Sequence, residues 1–173
     1  MSTIVGVVNK NGVWIGADSA ATTEGGESRT IIFKKLFRNK DYLFGITGSI
    51  RGGQVLFPEH FTPPKKVHEL PDAIREQFRE KGCIALSSDD QTEVQLCNFL
   101  VGHKGKLYEI LVDFAMNELR EYDAIGSGSS FAFGALYTIR NTNLNAEQRI
   151  KIALRAAEHF DTSTGPPFII EKL

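Results

Sequence analysis

Met1-Ser2-Thr3-Ile4-Val5-Gly6-Val7-Val8, returning after Lys10-Asn11-Gly12 as Val13-Trp14-Ile15-Gly16-Ala17-Asp18, is the stretch on which the fold turns. Thr3 to Val8 is apolar and β-branched, the composition of a strand. Asn11-Gly12 tolerates the positive φ of a tight hairpin, and Val13 to Ala17 returns as the second strand. The first strand begins at once, so the spacing predicts a first residue pinned in the sheet. A second strand pair is expected over Ile31 to Phe37 and Tyr42 to Ile46, turning at Asn39-Lys40-Asp41.

Outward from this hairpin the pattern changes. A helix is predicted from Ser49 to Phe57, stopped by Pro58, and Phe57 to Leu70 reads as an irregular loop because it holds Pro58, Pro63 and Pro64. Pro71 suits the first turn of a helix, Ile74 and Phe78 share one of its faces, and Gly82 ends it. Strands are expected over Cys83–Leu86, Val94–Val101 and Lys106–Leu111, the last two turning at Gly105. A helix follows from Ser129 to Ile139. Another begins after Asn145, which has the capping-box spacing to Gln148, and carries Ile150, Leu154, Ala157 and Phe160 at helical intervals. Phe168-Ile169-Ile170 reads as a last strand. This order is not strict βαβ alternation. It points to an α+β fold of two antiparallel sheets with helices packed outside.

The chain has 173 residues, which suits a single domain over 1–173, and no repeat or linker divides it. It is 42% hydrophobic and 24% charged with a formal net charge of −1, so nothing suggests a grip on nucleic acid or an anionic membrane. Lys65-Lys66 reads as a solvated pair. No secretory signal or membrane-length apolar run is seen, and the two cysteines, Cys83 and Cys97, read as buried free thiols; a reducing cytoplasmic setting is the expectation. His60, His68, His103 and His159 are scattered without ligand spacing, so no metal and no cofactor is expected. Gly126-Ser127-Gly128-Ser129-Ser130 precedes a helix. It could bind an anion through its amides or be a plain strand-to-helix turn, and it lacks a Walker lysine and a serine-triad context.

Several short segments gain meaning as a set: Ser2-Thr3-Ile4-Val5, Ala17-Asp18-Ser19-Ala20-Ala21-Thr22, Lys35-Leu36, Gly45-Ile46-Thr47-Gly48, Ile125-Gly126-Ser127-Gly128 and His159 to Gly165. In order and near spacing this set resembles the proteasome β-subunits and the bacterial HslV peptidase among the N-terminal-nucleophile hydrolases. The resemblance implies a four-layer αββα sandwich. It also implies a peptidase whose nucleophile is the first residue of the mature chain, here Ser2, with its own α-amino group as base. A hydroxyl needs such a base at neutral pH, and an α-amine with an ordinary pKa of about 8 can serve.

By the same resemblance Lys35 is the buried lysine, with Lys34 as the competing choice, since strand alternation turns only one of the two inward. Asp18 would hold the lysine and the terminus. Gly48 would donate its N–H to the oxyanion. Ser127, Asp161 and Thr164 would support the nucleophile. Standing alone, Asp18 and Asp161 would each read as a turn or helix-end carboxylate. Ala21, Ile46 and Ile50 would line an apolar substrate pocket.

Departures from the pattern are serine in place of threonine at position 2, Thr164 where the pattern has serine, and Met1, whose presence makes the Ser2 nitrogen an amide. Methionine aminopeptidases remove Met ahead of small residues, so Ser2 is expected to be exposed by processing. The resemblance further implies a homo-oligomeric double ring that encloses peptide or unfolded-protein substrate, and an ATP-dependent unfoldase as partner. An inactive scaffold subunit and a small-molecule amidase are the competing functions.

Overall fold

The computed structural model describes residues 2–22, 28–30, 33–87 and 92–173. Met1 and the Ile31 start of the second expected strand pair lie outside them.

The predicted hairpin forms from β1 (Thr3–Asn9) and β2 (Gly12–Ala17), paired antiparallel with Val8 opposite Val13. It sits at the centre of a four-stranded antiparallel sheet, flanked by β12 (Tyr122–Gly126) beside β1 and β13 (Ile169–Lys172) beside β2. A five-stranded antiparallel sheet lies against it. Its order is β11 (Met116–Leu119), β10 (Lys106–Ile110), β9 (Cys97–His103), β6 (Tyr42–Gly48) and β5 (Leu36–Asn39). Two small hairpins, β3 (Ala20–Thr22) with β4 (Ser28–Thr30) and β7 (Ile84–Leu86) with β8 (Glu93–Gln95), stand apart from both sheets.

Strand alternation distributes the apolar side chains into three layers. Ile4, Val13, Ile15, Leu43, Leu100, Leu107 and Ile125 face inward and fill the space between the sheets. Val5, Val7 and Ala124 face the other way, onto α3 (Ser129–Thr138) and α4 (Ala146–Phe160) through Ala132, Leu136, Ile150, Ala153 and Leu154. Phe44, Ile46, Phe99, Val101 and Ile110 face outward from the second sheet onto α2 (Leu70–Glu80), which contributes Leu70, Ile74 and Phe78. The result is the four-layer αββα sandwich.

The helix predicted from Ser49 is short: α1 spans Ile50–Gln54, with the Ser49 side chain accepting from the Gly52 N–H. Asn145 and Gln148 form a reciprocal capping box at the start of α4. The strand expected over Val94–Val101 is broken at Leu96, which is exposed and lends its carbonyl to the Ser49 N–H at 2.9 Å. Within the stretch expected to be irregular, Val67–Glu69 forms one 3-10 turn leading into α2. Among the described residues no helix is long and apolar enough to cross a membrane.

Candidate active site

The edge where β1 begins gathers residues from both ends of the chain. Pairing of Thr3 with Gly126 and of Ile4 with Ala17 fixes the first strand from both sides. Ser2, ahead of the strand, is buried, and its carbonyl accepts from the Ser127 N–H at 2.9 Å and the Ser127 hydroxyl at 3.4 Å. The Ser2 hydroxyl takes part in none of the hydrogen bonds among the described residues. At the other end of the same peptide unit, the Thr3 N–H donates to Asp18 Oδ1 at 2.9 Å.

Asp18 follows β2 directly and is 2% exposed. Its carboxylate also accepts from Lys35 Nζ at 2.8 Å, and from the backbone N–H groups of Ala20 at 3.0 Å and Gly165 at 3.3 Å. These four donors match the acceptor capacity of an ionised carboxylate, so a buried charge is fully satisfied. Lys35 precedes β5, where its carbonyl holds the Ile46 N–H at 2.9 Å. Lys35 is buried and Lys34 is exposed, so the inward member of the lysine pair is Lys35. Its ammonium donates to Asp18 and to the Ala20 carbonyl. Burial lowers the Lys35 pKa below the ordinary lysine value, and the charge and hydrogen bond of Asp18 oppose that shift.

A second carboxylate organises the far side. Asp161 caps the C-terminus of α4 and builds the following turn by accepting the Ser163 N–H on Oδ1 at 3.1 Å. Its Oδ2 accepts from the Ser127 hydroxyl at 2.7 Å and the Thr164 hydroxyl at 2.8 Å. Burial pushes the Asp161 carboxyl up, but the hydrogen bonds from Ser127, Thr164 and the Ser163 backbone outweigh it and hold the group below the usual carboxylate range. The turn is tied back to the Asp18 segment by the Ser19 N–H, which donates to Gly165 O at 2.9 Å, and by the Ser19 hydroxyl, which donates to Pro167 O at 2.6 Å.

Glycine is demanded at two points. Gly48 ends β6 at φ +92°, where a Cβ would stand 2.2 Å from the Leu96 carbonyl oxygen. Gly126 ends β12 at φ +100°, where a Cβ would meet the Ser2 carbonyl oxygen at 1.9 Å. Both conformations are open to glycine and strained for other residues.

Ala21 is half-buried on β3, Ile46 is packed in the core under α2, and Ile50 is exposed at the start of α1. A cavity of about 330 Å³ beside the Asp18–Lys35 pair is lined by Phe33, Lys34, Leu36, Pro167, Ile169 and Glu171 among others. Cys97 lies opposite Gly48 in register, and burial pushes its pKa up to about 12, which keeps it a thiol. Cys83 is half-buried and free. Among the described residues no group of three or more His, Cys, Asp or Glu side chains could hold a metal ion. Sequence reasoning missed the place of Thr3 in this hydrogen-bonded network. The Asp161-x-x-Thr164 spacing beside a β-branched terminus was the available signal.

No protein-family model matches the chain. Over 73 residues, 40% of this chain, it is 36% identical to a proteasome subunit beta of Frankia casuarinae, and the match spans 27% of that relative's length. A proteasome subunit beta of Stackebrandtia nassauensis is 38% identical over 72 residues, 26% of its own length. Among solved structures, Thiobacillus denitrificans BPH in complex with epoxomicin superposes with a TM-score of 0.84 at 21% identity, covering 99% of this chain and 98% of that one. Eukaryotic HslV from Trypanosoma brucei superposes with a TM-score of 0.72 at 19% identity, covering 98% and 97% of the two chains. Anbu, an ancestral β-subunit from Yersinia bercovieri, does so at 0.68 and 17%, covering 97% and 80%. In fold, therefore, the chain resembles HslV and the other superposed structures, the αββα sandwich of the N-terminal-nucleophile hydrolases, and over 40% of its length its sequence is similar to proteasome β-subunits.

Proposed function

We propose that the chain is a peptidase subunit whose nucleophile is the Ser2 hydroxyl, activated by the α-amino group that Met1 removal exposes. The observation that carries this reading is the convergence on one peptide unit. Asp18 holds the Thr3 N–H and Ser127 holds the Ser2 carbonyl, while the buried Lys35 ammonium lies on Asp18 and the Asp161 carboxylate lies on Ser127.

In this reading the free amine takes the Ser2 hydroxyl proton, directly or through a water, and the oxygen attacks the scissile carbonyl. The Lys35 ammonium stabilises the negative charge that gathers at the nucleophile. The Gly48 N–H receives the oxyanion, a contribution of about 3 kcal/mol for a preorganised donor. Ser127, held by the Asp161 carboxylate to which Thr164 also donates, keeps the terminus in place. The amine returns its proton to the leaving amino group, and water then releases the acyl chain from Ser2. Ala21, Ile46 and Ile50 are the proposed wall for an apolar side chain ahead of the cut.

Assembly into a ring that encloses unfolded substrate, fed by an ATP-dependent unfoldase, belongs to the same proposal. It is supported by an exposed apolar strip where α3 meets α4, made by Phe131, Ile152 and Phe160. The occupant proposed for that strip is a second copy of the chain.

The test combines N-terminal sequencing of protein from its native host with peptide hydrolysis by wild type and Ser2→Ala. Epoxomicin, bound by the Thiobacillus relative, serves as a mass-shift probe. Hydrolysis and an adduct that both vanish in Ser2→Ala are expected. Equal activity in the two chains, or Met1 retained on most of the native protein, overturns the reading.

A further inference from the structure

We propose that Thr3 is a positioning residue for the Ser2 nucleophile, its hydroxyl acting through Thr164 on the Asp161 carboxylate; this rests on the reading of Ser2 given above.

Thr3 is fully buried, so its hydroxyl must find a partner inside the protein. That partner is the Thr164 hydroxyl, at an oxygen–oxygen distance of 2.6 Å. The direction of the chain follows from proton counting. An ionised carboxylate only accepts, so Thr164 spends its one proton on Asp161 Oδ2 at 2.8 Å. Thr3 must then donate to Thr164. The Ser127 hydroxyl donates to the same Asp161 oxygen at 2.7 Å and stands 3.4 Å from the Ser2 carbonyl. Residue 3 is thus connected by its side chain to the group that holds residue 2 by its carbonyl.

Two further features fit this direction. Threonine at 164 has a stiff χ1, which presets its hydroxyl between the two partners. Gly128 leaves the space in which the hydroxyls meet: a Cβ there would stand 2.4 Å from Thr3 Oγ1 and 3.0 Å from Thr164 Oγ1. With its hydroxyl donated to Thr164 and its N–H donated to Asp18, Thr3 holds the frame and is not itself a nucleophile.

Thr3→Val keeps the shape and removes the donor, and Thr3→Ser keeps the donor and removes a methyl. Both are made in the full chain with Ser2 confirmed as the first residue by intact mass. Loss of one buried hydrogen bond predicts a fall of about tenfold in kcat for Thr3→Val. KM should stay within about twofold, because substrate contacts are untouched. The acid limb of the kcat profile should move to higher pH in Thr3→Val, as Asp161 loses a polarised donor, and Thr3→Ser should restore both quantities.

A Thr3→Val enzyme with wild-type kcat and acid limb overturns the inference, and so does a Thr3→Ser enzyme as poor as Thr3→Val. If the wild type hydrolyses no peptide, the peptidase reading falls. Carboxyl NMR titration of Asp161 in the same chains then decides the present inference. An upward shift in Thr3→Val alone supports it, and coincident titrations overturn it.

Discussion

Truncating Lys35 strips the Asp18 carboxylate of the ammonium paired with it, in a place where both side chains are at most 5% exposed. An uncompensated buried charge costs about 3–5 kcal/mol, so Lys35→Ala should lower urea-unfolding stability by that amount and abolish hydrolysis. Lys34→Ala, on an exposed side chain, should stay within about 0.5 kcal/mol and keep its activity. Comparable losses in the two variants would contradict the assignment. Here the sequence was only half legible. Alternation said that one lysine of the pair points inward, but the phase of β5 comes from the pairing of Leu36 with Gly45, a long-range register that no local pattern reveals. The four donors on Asp18 come from residues as far apart as Thr3 and Gly165, and they were equally beyond local reading.

Among the elements, β12 carries a second buried carboxyl. Asp123 is 8% exposed and lies opposite Gly6 on β1. Burial raises its pKa to about 6, with the Glu109 charge adding to the rise and the Ala124 N–H, which donates to it at 2.7 Å, opposing it. A folded-state pKa above the unfolded value means the associated stability is fully present below pH ~4 and is lost as pH rises through about 6. Asp123→Asn should therefore gain about 1–2 kcal/mol at pH 7 and nothing near pH 4, as read by urea unfolding at both values. A gain of equal size at both would rule out titration as the cause.

The long apolar elements were legible: the first hairpin, α2, α3 and the capped α4 fall where periodicity and caps put them. Short strands were not. Met116–Leu119 is a brief edge strand of mixed polarity, and Tyr122–Gly126 drew notice only for its Ile-Gly-Ser-Gly ending. Such strands owe their existence to their neighbours rather than to their own composition.

For the whole molecule, the layer order was readable because each inner strand divides its apolar side chains between a sheet-to-sheet core and a helix-facing core. Assembly is a property of surfaces, and there the α3–α4 strip makes the claim testable. Phe131 and Phe160 stack at 5.2 Å between ring centroids while remaining 40% and 65% exposed. If copies of the chain associate through this face, mass photometry at micromolar concentration should show species well above the 19.2 kDa monomer. Phe131→Glu with Phe160→Glu should return them to monomer with unchanged circular dichroism. A wild type that is monomeric throughout would remove the ring from the proposal.

The burial of Ser2 at the head of β1 also sets a clock on biosynthesis. An aminopeptidase acting in trans needs an extended chain end, and here the end is closed in by pairing of Thr3 with Gly126 and of Ile4 with Ala17. β12 is translated long after Ser2; at about 5–20 residues per second the interval is on the order of ten seconds. Trimming has that interval in which to act on a nascent chain. On the proposed reading, a molecule that folds first keeps its extra residue, so the active fraction of a preparation would become a record of which event came first.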